Sequence, residues 1–289
     1  MESGVLLKRV RKIEIRTRKI TQQIFSGQYH SAFKGKGMAF SEVREYQHGD
    51  DICNIDWNVT ARLNHPYIKV FEEERELTVM LLIDVSGSNH FGTRNRFKSD
   101  LITELAAVLS FSAIANNDKV GVICFSNKIE KYIPPKKGRS HILRIIRELV
   151  NHEPTESKTD IAEALRYLTN IIKKKCTTFI ISDFINCEYD QALRIASNKH
   201  DIVALQVVDP GEQELPAIGL VQMKDPESGQ VQWIDTANHK TRDGDKRGWL
   251  QQYRTKDEQF MKAGIDHIQL STNVDYVKSL TELFKRRGA

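Results

Sequence analysis

The chain has 289 residues, 40% of them hydrophobic and 28% charged, enough apolar material for one large globular domain with an appendage. No run of about 18 apolar residues occurs, and charges interrupt the first apolar positions, so the sequence is read as having neither a membrane span nor a secretory leader. The cytoplasm is the expected location. The net charge of +5 is uneven, with seven basic residues against the single Glu14 between Lys8 and Lys19.

That basic stretch reads as a helix. Leu6, Val10, Ile13, Ile20 and Ile24 recur at steps of three and four around a gap at Thr17, which makes an apolar stripe with the basic residues largely on the other faces. A docked amphipathic helix with a solvated basic side is expected, and without interleaved aromatics no nucleic-acid partner is expected. The glycine-rich stretch after it reads as irregular or edge-strand structure. Turns are expected at Gly49-Asp50-Asp51 and Asn64-His65-Pro66, and residues 1–76 are read as an extension packed on the core.

Asp50, Asp51 and Asp56 lie near His48 and Arg62, and a second metal cluster is one reading of them. Aspartates beside glycine are ordinary turn formers, and Asp–Arg pairs pin loops, so the structural role is preferred. Ile55 and Trp57 are expected to anchor the segment to the core. Asp50, Asp51, Asp56, Trp57 and Arg62, with Asn89 further on, are the candidate partner-contacting residues.

From Leu77 strands and helices alternate. Apolar runs at 77–84, 119–125, 176–183 and 201–209 read as buried parallel strands, and 128–134 as an antiparallel edge; helical periods lie at 97–117 and in the stretches "SHILRIIRELV", "TDIAEALRYLTNIIKKK" and "YDQALRIASNK". A hairpin over 218–235, with Val221 and Met223 facing Val231 and Trp233, a helix at 248–264, a short strand and a last helix complete the chain. The expected class is α/β, a doubly wound and mainly parallel sheet over 77–289 with an insertion at about 211–247.

Cys53, Cys124, Cys176 and Cys187 show no C-x-x-C spacing and read as reduced thiols, and the nine histidines form no metal-binding pattern. The pattern that carries chemistry is "DVSGS" at 84–88. In an open parallel sheet, ligands bind outside the carboxyl ends of the strands. Asp84, Ser86 and Ser88 leave one such end, Asp183 leaves another, and Thr159 precedes a helix start. Two carboxylates and three hydroxyls form a hard, all-oxygen set suited to Mg²⁺, with Mn²⁺ also acceptable and zinc disfavoured. No G-x-x-x-x-G-K-[ST] phosphate loop occurs.

D-x-S-x-S at 84–88, the threonine of "SKTDIAEAL" and the aspartate of "ISDF" resemble the metal-ion-dependent adhesion site of the von Willebrand factor A superfamily. The resemblance implies that the serines and threonine contact Mg²⁺ directly, that the aspartates often act through water, and that a protein ligand supplies a further carboxylate. Upstream, "VREYQHGDDICNIDWNVTAR" and "KVFEEERE", and downstream "DPGEQELP", resemble the bacterial family catalogued as domain of unknown function 58. Asn89 stands where members often carry methionine, and Cys53 where a basic residue is expected.

That resemblance implies a MoxR-class AAA+ ATPase as partner and an unidentified client protein. The expected function is a non-enzymatic, Mg²⁺-dependent adaptor or co-chaperone in the maturation or assembly of a protein complex. The alternative is a Mg²⁺-dependent phosphohydrolase with Asp84 as nucleophile. It is weakened because "DVSGS" has no second aspartate two residues on, and a shell rich in hydroxyls is a poor nucleophile activator.

Overall fold

A computed structural model describes residues 3–21, 38–73, 76–92, 96–152, 158–185, 188–224 and 229–288. The chain divides into two compact units, residues 34–77 on one hand and residues 1–33 with 78–289 on the other. The segment expected as one extension over 1–76 is therefore two pieces. Helix α1 (Ser3–Ile20) belongs with the larger unit, and residues 34–77 form the smaller one.

In the smaller unit β1 (Met38–Glu45) pairs antiparallel with β2 (Tyr67–Glu73), with a register shift between Phe40 and Glu42. A 3-10 turn at 52–54 and helix α2 (Trp57–Leu63) connect them. The acids here are spent on the backbone and on loop pins. Asp50 takes two 2.8 Å bonds from the Arg44 guanidinium and one from the Gln47 N–H. Asp51 caps the 3-10 turn, and Asp56 caps α2 by accepting from the Asn58 and Val59 N–H groups. Ile55 bridges Ile68 inside the unit, but Trp57, expected as an anchor, is 67% exposed. As the first residue after the Asp56 cap, it starts a helix of only seven residues that buries none of them.

The larger unit is built on a six-stranded sheet: β3 (Thr78–Asp84), β4 (Lys119–Phe125), β5 (Ile129–Lys136), β6 (Thr177–Ser182), β7 (Asp201–Val208) and β10 (Asp266–Ser271). Its spatial order is β10-β7-β6-β3-β4-β5, parallel throughout except for the antiparallel edge β5. This is the doubly wound order whose direction reverses between β3 and β6. Val79 to Ile83 are fully buried, as a central strand covered on both faces requires.

Helix α3 (Lys98–Ala115) is apolar around most of its circumference and buried along its length, the signature of a core helix. It packs between the sheet and a layer formed by α1 and α4 (Arg139–Asn151). Val10 and Thr17 of α1 face inward, and the Thr17 hydroxyl donates to the Ile13 carbonyl, so the gap in the apolar stripe is filled by a satisfied polar group. Glu14 also turns inward and accepts from Arg139 Nε at 2.7 Å. Lys8, Arg11, Lys12 and Arg18 are exposed on the opposite side, as expected, while Ile24 lies outside the described residues.

On the other face lie α5 (Ile161–Ile171) and α6 (Asp190–Lys199). A short turn of helix, α7 (Pro210–Gln213), follows β7. The insertion then forms a hairpin of β8 (Leu220–Lys224) and β9 (Val231–Asp235) and helix α8 (His239–Lys262). α9 (Tyr276–Gly288) ends the chain.

The hairpin and helix α8 depart from expectation. Val221 faces Ile234 and Met223 faces Gln232, so Val231 and Trp233 project from the opposite face of the hairpin. A one-residue difference in register exchanges the faces of a strand, and the alternation of residues leaves the register open. Helix α8 begins nine residues earlier than the period suggests, at His239, with the Asn238 side chain capping the Lys240 N–H. Gly244 and Gly248 hide it in the sequence, because glycine reads as a breaker.

Candidate metal centre

The site lies where β3 and β6 end side by side, at the switch point of the sheet. Val85 extends the alignment of β3 by donating to the Phe125 carbonyl at 2.9 Å, after which the chain turns at Ser86 into a 3-10 turn over 87–90. The Asp84 carboxylate accepts from the Ser86 N–H at 2.9 Å and from the Ser182 hydroxyl at 2.6 Å. The Ser86 and Ser88 hydroxyl oxygens are 3.1 Å apart.

From β6, Asp183 accepts the Ile185 N–H on one oxygen and the Lys98 ammonium on the other, at 2.8 Å. The Ser88 hydroxyl also bonds to it, which joins the two loops. Its main-chain carbonyl takes Gln206 Nε2 and Lys256 Nζ, both at 3.3 Å, so the last turns of α8 help to hold this corner. The next residue, Phe184, has φ +56°, a conformation uncommon outside glycine, asparagine and aspartate. Its ring packs edge-on against Tyr189 and Phe260, and that packing holds the strained peptide beside Asp183.

Thr159 is half-buried at the start of α5. The Asp160 N–H donates to the Ser126 carbonyl at 2.8 Å, which pins this loop to the carboxyl end of β4, beside β3 in the sheet. The cap of α5 is Asp160, which accepts the Glu163 N–H, so capping does not account for Thr159. Asp84, Ser86, Ser88 and Asp183 are thus brought together, with Thr159 on the loop of the adjoining strand. Asn89, expected to contact a partner, is buried. Its side-chain N–H donates to the Asp84 carbonyl at 2.9 Å, and its Oδ1 is buried with no hydrogen-bond partner among the described residues.

The electrostatics are those of a site short of positive charge around Asp84. Burial, then the neighbouring Asp183 charge, push the Asp84 carboxyl up to about 7. Burial works on Asp183 in the same direction, but the Lys98 ammonium outweighs it and holds that carboxyl below its usual range. Lys98 itself is driven up by Asp183 and Glu212 despite its burial. None of Asp84, Ser86, Ser88, Asn89, Lys98 and Asp183 is more than 4% exposed.

These residues fit a hard divalent ion. Two oxygens at neighbouring corners of an octahedron of about 2.1 Å radius lie about 3 Å apart, and the two serine hydroxyls have that spacing. Asp84, poised to ionise, would supply the negative charge, with Asp183 at the end of the neighbouring strand β6 and Thr159 on the loop pinned to the end of β4. Among the described residues no three of His, Cys, Asp and Glu cluster as metal ligands, so an ion here would have to be held by hydroxyls, two carboxylates and water. Cys124 and Cys176 are buried free thiols and Cys53 an exposed one.

Three residues of the site escaped the sequence reading: Lys98, Ser182 and Glu212. Ser182 stands directly before Asp183 and was legible as one more oxygen at a strand end. Lys98 resembles any lysine opening a helix. Glu212 lies in "DPGEQELP", where it completes a capping box with Asp209 and bonds Lys98 at 2.6 Å.

The profile of the family described as "Protein of unknown function DUF58" matches residues 42–254, most of the chain. The chain belongs to the DUF58 family. Among its relatives, the Mycobacterium tuberculosis protein Rv1480 is 31% identical over 225 residues, covering 77% of this chain and 71% of the other. Among solved structures, an aerotolerance-related membrane protein from Bacteroides fragilis aligns over 73% of this chain and 98% of its own, with 18% identity and a TM-score of 0.50. The SpRpn10 VWA domain aligns over 73% of this chain and 95% of its own, with 10% identity and a TM-score of 0.39. This DUF58 chain has an α/β fold on a mainly parallel six-stranded sheet, and the matched region spans both the smaller unit from residue 42 and the candidate metal centre.

Proposed function

We propose that this DUF58 protein is a non-enzymatic adaptor whose centre binds Mg²⁺, or Mn²⁺, and uses it to engage an acidic group on another protein. The observation that carries this reading is the gathering of Asp84, Ser86, Ser88 and Asp183 at the switch point, with serine oxygens 3.1 Å apart. A bound ion would supply an electrophilic centre able to accept a carboxylate. The residues of this chain that would hold and orient it are Ser86, Ser88 and Thr159 as neutral donors and Asp84 and Asp183 as the charged ones. Asp183 is the less available of the two, because Lys98 already takes one of its oxygens.

The phosphohydrolase alternative is not favoured by the geometry. An in-line phosphoryl transfer needs a cation to clamp the phosphate beside the nucleophile. Lys98 is bonded to Asp183 and Glu212, and Lys256 to the Asp183 main-chain carbonyl.

We further propose, from the sequence resemblance, a partner of the MoxR-class AAA+ type, which would bring the ATP hydrolysis for which this sequence has no phosphate loop, and a client protein matured by the pair. The proposal puts the activity in the cytoplasm, where an ATP-driven partner would work. Among the described residues no helix is long and apolar enough to cross a membrane. The deciding experiment measures binding of the chain to its host's MoxR-class ATPase in Mg²⁺ and in EDTA, with wild type and Asp84→Ala. Binding that needs the ion and is lost in the variant supports the reading, and binding indifferent to both removes the metal from it. No binding removes the partner.

A further inference from the structure

The Lys98 ammonium is buried against the metal centre, its Nζ 2.8 Å from Asp183 Oδ2 and 2.6 Å from Glu212 Oε1. Lys98 is fully buried, and a charge in that position is costly unless it is paired. A methionine of similar length would fill the same space without that cost, so the ammonium calls for a reason beyond packing. Glu212 does not share Asp183's place as a candidate ligand. Its second oxygen accepts the Asp209 N–H at 3.1 Å, which closes the capping box and fixes the carboxylate on Lys98.

We propose that Lys98 is a resident cation of the centre that sets its affinity for a divalent ion, with Glu212 as the counter-charge that moderates it. The inference rests on the metal reading above and deepens it. Two carboxylates, of Asp183 and Glu212, hold the ammonium, and Asp183 is also the charged neighbour of Asp84, so a divalent ion entering between Asp84 and Asp183 meets the field of the ammonium as well. The ammonium repels the ion and occupies one oxygen of Asp183. Glu212, bonded to the same ammonium, offsets part of that repulsion. The centre therefore binds its ion more weakly than its carboxylates alone would, and an incoming acidic group is drawn to the combined positive charge of ion and ammonium.

Charge arithmetic makes the test directional. Mn²⁺ binding is measured by electron paramagnetic resonance on wild type, Lys98→Met, Glu212→Gln, the double variant and Asp84→Asn, with folding checked by circular dichroism. The one carbonyl oxygen of glutamine can keep the capping bond from the Asp209 N–H, so Glu212→Gln removes the charge and the acceptor that faces Lys98 while leaving the turn capped. Lys98→Met binds Mn²⁺ at least about tenfold more tightly than wild type, Glu212→Gln at least about tenfold more weakly, and the double variant close to wild type. If Lys98→Met does not fold, the double variant, whose charge is balanced, carries the comparison by binding at least about tenfold more tightly than Glu212→Gln. Equal affinities in every folded Lys98 and Glu212 variant overturn the proposal and leave Lys98 as a structural ion pair. Failure of wild type to bind Mn²⁺ any better than Asp84→Asn overturns the metal reading and this inference with it.

Discussion

Lys98 and Asp183 form an ion pair at 2.8 Å in which neither side chain is more than 1% exposed. Such a pair contributes little net stability when intact, but removal of one partner strands the other. Lys98→Met is expected to cost about 3–5 kcal/mol, read from urea unfolding at pH 7 in EDTA. A loss below about 1 kcal/mol would mean that Asp183 and Glu212 find water or a proton in place of the ammonium.

Asp84 yields a pH dependence with a definite sign. Its carboxyl is raised from 3.8 to about 7, so the folded protein holds the proton more tightly than the unfolded chain does. The associated stability is complete below about pH 4 and is lost as pH rises toward 7, a loss of up to about 4 kcal/mol in the ion-free protein. Asp84→Asn, which cannot ionise, therefore raises the melting temperature of EDTA-treated protein at pH 8, and the gain shrinks toward pH 4. Added Mg²⁺ stabilises wild type at pH 8 and leaves the variant unmoved. Calorimetry in the two buffers checks both statements.

The serines separate a ligand role from a turn role. Ser86 and Ser88 bond to each other, and Ser88 to Asp183, so Ser86→Ala is expected to cost no more than about 1.5 kcal/mol of stability. Mn²⁺ affinity should fall in the same variant by at least about tenfold, one ligand's share. Unchanged affinity in a stably folded Ser86→Ala protein would return this loop to a purely structural role.

At the opposite end of the strands, Cys176 Sγ lies 3.2 Å from His200 Nδ1, and both residues are buried. Burial pushes the His200 imidazole down to about 4. The unfolded chain takes up that proton near pH 6.5 and the folded one resists until about 4, so this contribution to stability is lost as pH falls through that window. His200→Gln should shrink the stability difference between pH 7 and pH 4.5 by about 2–3 kcal/mol, read from urea midpoints at the two values.

The hairpin offers a control. Leu220 and Trp233 are each 65% exposed on one face of β8 and β9. Replacing either with serine is expected to change stability by less than about 0.5 kcal/mol in thermal unfolding.

Much of this protein was legible as one-dimensional pattern. Continuous apolar runs marked β3, β4, β6 and β7, because strands covered on both faces need no polar alternation. Oxygen-bearing residues at the ends of those runs, Asp84, Ser86, Ser88 and Asp183, marked the edge where a doubly wound sheet gathers ligands. The amphipathic period of α1 and the turn-forming aspartates at 50, 51 and 56 were local as well, since caps and stripes are set by residues a few positions apart.

What the tertiary structure decided depends on distance along the chain. The partners of Lys98 lie 85 and 114 residues away, and no local pattern tells a lysine opening a surface helix from one sealed into a charged cluster. The faces of the β8–β9 hairpin waited on register, the start of α8 on a helix that runs through two glycines, and the exposure of Trp57 on a helix too short to bury it. The sequence by itself determined the sheet and placed the oxygens at its edge, because burial and chain direction act strand by strand. Only packing between remote segments determined which charges surround those oxygens, because a buried ammonium is tolerable only where the fold brings carboxylates to meet it.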